Sequence, residues 1–162
     1  MKWRYLFVVI PFLTGCSFTN TTTKVKNFAQ CYIHQIPAPF WVCYQSSFQA
    51  VGKVKTDKVT RLKQEEAFSL GVTELISKLT AKAALFLRKI GKDDQKTREK
   101  IKNIIKNFVV VNAIEGNNWY SKKDKLLYVE VKINKDDFKR VLLNEFKDID
   151  QKKLETAFDE IF

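Results

Sequence analysis

The chain has 162 residues, of which 45% are hydrophobic and 13% aromatic, and its formal net charge is +11 at pH 7. This composition excludes a chain that is disordered along most of its length. The length suits one compact domain with a real core and short appendages. The positive charge is concentrated in residues 53–106, which carry fifteen Lys or Arg against seven acids.

The N-terminus has the layout of a bacterial export signal. Lys2 and Arg4 give a positive start, and Tyr5 to Phe12 form an apolar run of eight residues. A membrane-spanning helix needs ~20 such residues, so this run is typical of a signal peptide. It ends at Leu13-Thr14-Gly15-Cys16, which resembles the lipobox of bacterial prolipoproteins. The other interpretation is a buried N-terminal strand with a chance Gly-Cys pair, and the order of the features argues against it.

The lipobox resemblance implies that the cysteine thiol is diacylated and that the chain is cleaved just before it. We therefore expect a signal peptide over residues 1–15 and a lipidation site at Cys16. Two or three acyl chains hold a protein on a bilayer far more firmly than one. Residue 17 is Ser, whereas an Asp there keeps enteric lipoproteins on the inner membrane. The predicted location is the outer membrane, with the face of that membrane left open.

An exported protein with a basic middle region meets little nucleic acid, so none is expected as a partner. Anionic lipid head groups, lipopolysaccharide phosphates or an acidic protein are the expected counterparts of the positive charge. The alternative is that the lysines only reflect a Lys-rich proteome.

The remaining cysteines, Cys31 and Cys43, lie twelve positions apart. An even pair in an oxidising compartment predicts one disulfide, which we expect to tie the aromatic arm to the domain. Two free buried thiols are the alternative. We expect no metal and no cofactor. The chain has a single histidine, His34, and two thiols with one imidazole make an incomplete zinc shell.

The next segments predict a tether, an arm, a strand and a long helix. A flexible tether up to Lys26 leads into an aromatic arm that contains Pro37 and Pro39. The strand is predicted over Phe48 to Lys55, where Gly52 marks a bulge or a close backbone approach. A continuous apolar stripe predicts a helix from about Val59 to Ile90. Within it Gly71 marks a close packing contact, and Gly91 stops it.

The second half of the chain predicts a helix, a β-hairpin and two more helices. Asp93 or Asp94 caps a basic helix whose buried face carries Ile101, Ile104, Ile105 and Phe108. The β-branched runs Phe108 to Ile114 and Leu126 to Ile133 predict a hairpin around Ser121 to Asp124, with one face on the core and one wet. A third helix starts at Asn134 or Asp137. The last, from about Asp150, has an apolar face for its own core or for a neighbour: Leu154, Ala157, Phe158 and Ile161.

The predicted fold class is α+β, with a long helix packed across a small antiparallel sheet of about three strands and extra C-terminal helices. The predicted organisation is a signal peptide over 1–15, a lipid-anchored tether and aromatic arm over 16–47, a core domain over 48–147 and an amphipathic helix over 148–162.

Several short features in order resemble a family of small bacterial lipoproteins. They are Cys16, Pro39-Phe40-Trp41, Ala50-Val51-Gly52, the segment Glu66-Ala67 through Glu74-Leu75, and Trp119-Tyr120 before Leu127 to Val131. The family is typified by the Lpp-twenty antigen of epsilon-proteobacteria and the flagellar basal-disk lipoprotein of that group. The chain departs from it in a bulkier first helix with fewer alanines. The resemblance implies a small α+β unit and a structural role, with flagellar motor and other envelope proteins as partners.

No catalytic motif stands out, so we expect no enzyme. The acidic pairs Glu65-Glu66 and Asp136-Asp137 suit a helix surface and a helix start. The first function hypothesis is a self-assembling outer-membrane scaffold, a homo-oligomer that serves motility in a flagellar basal disk and assembles through sheet edges and the terminal helix. The alternative is a monomeric binding module for lipid or lipopolysaccharide phosphate.

Overall fold

The computed structural model describes residues 30–162. Its strands are β1 (Tyr32–Ile33), β2 (Ile36–Pro37), β3 (Gln49–Lys55), β4 (Ile114–Ser121) and β5 (Leu126–Lys132). Its helices are α1 (Phe40–Cys43), α2 (Arg61–Ile90), α3 (Gln95–Asn112), α4 (Lys135–Leu143) and α5 (Gln151–Ile161), with a 3-10 turn at Asn144–Phe146. The α+β class is confirmed, and so are the long helix and the three-stranded antiparallel sheet.

The helix boundaries follow from local capping chemistry. The side chains of Thr60, Asp94, Asn134 and Asp150 accept hydrogen bonds from backbone N–H groups in the first turns of α2, α3, α4 and α5. Each cap satisfies donors that have no partner inside the helix. At the other end of α2, Gly91 takes the left-handed conformation with φ 75°, which glycine adopts without a Cβ clash.

In the sheet the strand order is β3-β5-β4, and every neighbouring pair is antiparallel. Helix α2 lies across β3 and β5, and it comes closest where Gly52 of β3 faces Gly71 of α2. A Cβ built on Gly52 would overlap the carbonyl oxygen of Ala67, and one on Gly71 would lie 2.5 Å from a methyl of Val131. The expected close approach at both glycines is confirmed, because only hydrogens fit between the helix and the strand.

The main core lies on the helix side of the sheet, between β3, β5 and the helices. Its largest fully buried side chains include Phe86, Phe138 and Phe158, and these rings cluster with Phe48 and Phe162. Burying an aromatic side chain stabilises the fold by about 2 kcal/mol or more. The helices are therefore held to the sheet by one continuous apolar layer.

The strand predicted over Phe108 to Ile114 is wrong, because helix α3 continues to Asn112 and the strand starts only at Ile114. Val109 continues the stripe of Ile101 and Ile105, and all three are fully buried. Burial of this stripe outweighs the strand preference of three successive valines. The hairpin turn and its second strand lie where they were predicted, while the first strand is the more polar segment that follows the valines.

The prediction that one face of β5 is exposed to solvent is also wrong. Tyr128 and Glu130 point away from the helices, yet they are only 3% and 4% exposed. The arm formed by residues 30–47 covers much of this face, with Cys31 and Val42 packed against Val51 and Tyr128. The sheet therefore has a helix side and an arm side, and both bury apolar groups.

The terminal helix docks on its own core. Leu154 and Phe158 of α5 are fully buried within the main core cluster. The end of α5 is held by polar contacts as well, since Ser47 donates to the carbonyl of Phe162 and Lys82 donates to that of Ile161. The prediction that copies assemble through the apolar face of this helix is therefore corrected, because that face is buried inside the protomer.

Candidate functional site

The arm begins with a two-residue hairpin. Ile33 pairs with Ile36, and the residues between them, His34 and Gln35, have positive φ values of 45° and 68°. This is the geometry of a type I′ turn, in which glycine and asparagine are favoured. The short helix α1 follows, and the rings of Phe40 and Tyr44 stack 4.6 Å apart on it. The arm is thus a compact structure of its own.

A disulfide closes the arm on itself. The sulfurs of Cys31 and Cys43 are 2.08 Å apart, and their Cα atoms are 5.7 Å apart. The expectation that this bond ties the arm to the domain is wrong, because both cysteines belong to the arm. Apolar packing makes that connection: Ile33, Ala38, Trp41, Trp119 and Leu126 surround the buried contacts between arm and sheet.

Loss of the Cys31–Cys43 bond is expected to destabilise the arm by about 3 kcal/mol, the chain-entropy value for so short a loop. Both cysteines lie in one tryptic peptide, 27–53, which should be lighter by two hydrogens than its reduced form. Chymotrypsin, which cleaves at the aromatic residues between them, should then leave two peptides linked only without reductant. Free alkylation of both thiols in the undenatured exported protein would contradict this.

His34 contacts the turn between β4 and β5. Its Nδ1 lies 3.2 Å from a carboxylate oxygen of Asp124, and the Ser121 hydroxyl donates to the other oxygen at 2.7 Å. The Ser121 hydrogen bond and then the charge of His34 lower the pKa of Asp124 below its ordinary value. This contact ties the arm to one end of the sheet. The imidazole is otherwise exposed, and the Ser121 hydroxyl binds the opposite oxygen of the same carboxylate and not the imidazole.

A bulge in β4 holds a buried carboxylate on the arm side. Gly116 and Asn117 lie opposite the single residue Glu130. Glu130 accepts hydrogen bonds from the backbone N–H of Asn117 at 3.0 Å and from its side-chain amide at 2.8 Å. A Cβ on Gly116 would collide with this carboxylate. The arrangement explains Glu130 as a structural residue that fixes the bulge.

The cleft between α2 and α3 has a volume of about 270 Å³ and is lined mostly by apolar atoms. Its charged lining residues are Arg98, Glu99 and Lys102, and Arg98 is paired with Asp93 at 2.5 Å. In the described part of the chain no three His, Cys, Asp or Glu side chains converge as metal ligands would. We assign no catalytic role to this cleft.

Lysines without acidic partners gather on the arm side. Lys53 and Lys55 alternate with buried residues of β3 and project to the same face as Val51. Lys122 and Lys123 are exposed in the β4–β5 turn, next to the end of β3. Within residues 30–162 none of the four makes an ion pair, so their charge faces solvent.

Exposed apolar residues gather at a second place, where α3 passes into β4. Val110, Val111 and Ile114 are 61%, 79% and 58% exposed. We call these three residues the apolar corner. It lies at the opposite end of β4 from the β4–β5 turn. The sequence pattern is misleading here, because it predicts a strand over the same valines.

Cys16, the predicted lipidation site, lies outside the described residues. None of the helices in the described part of the chain is long and apolar enough to cross a membrane.

Comparison with protein-family models gives no match, and comparison with curated proteins gives none either. The resemblance to the basal-disk type of lipoprotein therefore stays a hypothesis that depends on the residues named above.

Proposed function

We propose that this chain is a non-enzymatic, lipid-anchored protein of a bacterial outer membrane whose copies assemble side by side. The lipobox-like Leu13 to Cys16 supports the anchor. The apolar corner is the observation that supports assembly. A scaffold of this kind fits the role that the resemblance implies, a basal disk that serves motility.

The corner is small for an interface. Its three side chains expose on the order of 300 Å², similar to the largest apolar patch of an ordinary monomer. A stable complex buries about 800 Å² on each partner. The contact between free copies is therefore weak. Acyl chains that confine all copies to one plane raise their effective concentration, which converts a weak contact into assembly.

Two of the other assembly surfaces predicted from sequence contribute less. The face of α5 is buried in the protomer, and the bulge at Gly116 and Asn117 interrupts the edge of β4, one of the two edge strands of the sheet. Bulged edges pair poorly with a second strand. The apolar corner lies at the start of β4, before the bulge. A neighbouring copy can bury its side chains without forming backbone hydrogen bonds to the strand.

We expect the double variant Val110→Glu and Val111→Glu to reduce the acylated protein to single copies, because it places two like charges in the centre of each contact. Stepwise photobleaching on supported bilayers would count copies, and circular dichroism should show an unchanged protomer. The matched control is Leu62→Glu, which alters a residue 71% exposed at the start of α2.

A wild-type protein that stays monomeric on the bilayer at high surface density would refute assembly. That outcome would favour the alternative, a monomeric binding module for an anionic envelope component. The observation that favours the alternative is the group of unpaired lysines on the arm side.

A further inference from the structure

We infer that the arm side of the sheet is a docking surface for an anionic phospholipid bilayer. This inference rests on the proposed function, since it takes the protein to be anchored at a membrane. It adds which face of the molecule lies against the lipid and which residues make that contact.

The first observation is where the exposed aromatic rings lie. Among residues 30–162 the large apolar side chains with the highest exposure include three aromatic ones, and all three are on the arm: Tyr32, Phe40 and Tyr44. The other exposed side chains in that group are aliphatic. Aromatic rings, Tyr above all, favour the level of the lipid head groups, where the ring is buried and the polar atom stays wet. The arm therefore presents the chemistry of an interfacial surface.

The second observation is the charge beside those rings. Lys53 and Lys55 project to the arm side, and Lys122 and Lys123 stand at the end of the sheet that His34 of the arm touches. Four unpaired lysines beside exposed aromatic rings form a pattern suited to anionic head groups. Of the acids near them, Asp57 is paired with Lys125 at 2.6 Å. Asp124 and Glu130 accept hydrogen bonds from Ser121 and Asn117, which are uncharged donors. Four unpaired lysines therefore stand against two carboxylates, which leaves this side with a positive balance.

The third observation is where the chain enters the described structure. Gln30 precedes His34 by four residues, so its Cα lies within about 13 Å of that of His34, whose ring contacts Asp124 in the basic turn. Cys16 is fourteen residues before Gln30, which limits the distance between them to about 48 Å. A tether of that length keeps the arm side within reach of the leaflet that holds the acyl chains.

The arrangement also suits side-by-side assembly. With the arm side on the membrane, the sheet lies roughly parallel to the bilayer and helices α2 to α5 face away from it. The free edge of β4 then faces sideways, toward neighbouring copies in the same plane, and the apolar corner begins at that edge with Ile114.

The test uses the chain from residue 16 onward with Cys16→Ser, so that no acyl chain contributes to binding. Vesicles of phosphatidylcholine with increasing phosphatidylglycerol are sedimented with the protein. Each lysine near an anionic surface contributes roughly fivefold in affinity. Changing Lys53, Lys55, Lys122 and Lys123 to Gln should therefore weaken binding roughly 600-fold.

The matched control changes Lys96, Lys102, Lys106 and Lys152 to Gln, which removes the same charge from exposed sites on α3 and α5. This control should bind nearly as well as the unchanged chain. Equal losses in both variants would show attraction to net charge alone and would overturn the docking surface. So would the absence of any binding to vesicles rich in phosphatidylglycerol.

A second readout is local. After cleavage before Cys16 the chain keeps two tryptophans, Trp41 in the arm and Trp119 beneath it. Vesicles with brominated acyl chains should quench the fluorescence of Trp41 in a Trp119→Phe background. In a separate binding measurement at high salt, the double variant Tyr32→Ser and Tyr44→Ser should bind roughly tenfold more weakly. Binding without quenching would place another face on the lipid and would contradict the inference. Since no anchor is present, these results do not depend on whether Cys16 is acylated.

Discussion

Replacing Gly52 with alanine is expected to destabilise the protein by at least about 3 kcal/mol, a large part of the stability of an ordinary domain. The new Cβ would overlap the carbonyl oxygen of Ala67 and lie 2.6 Å from the backbone nitrogen of Gly71. Both neighbours are backbone atoms of α2, so no side chain can rotate away. The helix would have to move off the sheet, and much of the main core would open with it.

Urea unfolding followed by circular dichroism measures this loss, and Gly91→Ala is the matched control. A Cβ on Gly91 meets nothing within 4 Å, so only its positive φ is unfavourable. The control should lose about 1 kcal/mol. A Gly52→Ala protein as stable as that control would show that α2 does not pack on β3 as described.

The second large effect is expected at Phe158. Truncation to alanine should remove 3–5 kcal/mol (order of magnitude), because the ring is fully buried and leaves a cavity. The ring stacks 4.7 Å from Phe162 and lies 6.2 Å from Phe138, so the loss reaches α4 as well. A loss of stability of this size in urea unfolding of Phe158→Ala would show that α5 is part of the core.

Val111→Ala is the control for Phe158→Ala, since Val111 is 79% exposed on α3. It should change stability by less than about 0.5 kcal/mol. If Phe158→Ala were equally mild and instead changed the number of copies in an assembly, α5 would be an interface helix and its docking on the core would be wrong.

The sequence predicted an element correctly wherever a local pattern decides the structure by itself. The stripe along α2, the stop at Gly91 and Asn134 as a cap were predicted, because each follows from local periodicity or capping chemistry. The second strand of the hairpin and its turn were predicted for the same reason. For Gly52 the sequence left a bulge or a close approach open, and the contact with α2 decides for the close approach.

The predictions that were wrong concern segments whose structure depends on packing against distant parts of the chain. The valines at 109–111 read as a strand, and only the packing of Val109 beside Ile105 keeps them helical. Tyr128 looked like one residue of a wet face, because nothing in β5 shows that an arm some eighty residues earlier covers it. The arm side and the apolar corner are products of this long-range packing, so they could not be located from sequence.

Everything proposed about function depends on the anchor at Cys16. The most direct measurement is metabolic labelling of cells with a tagged fatty acid, comparing the unchanged protein with Cys16→Ser. The label should enter the unchanged protein, whose N-terminus should begin at residue 16, and should be lost in Cys16→Ser, which should stay uncleaved or soluble. Equal label in both proteins, or none in either, would contradict a lipid anchor on this cysteine.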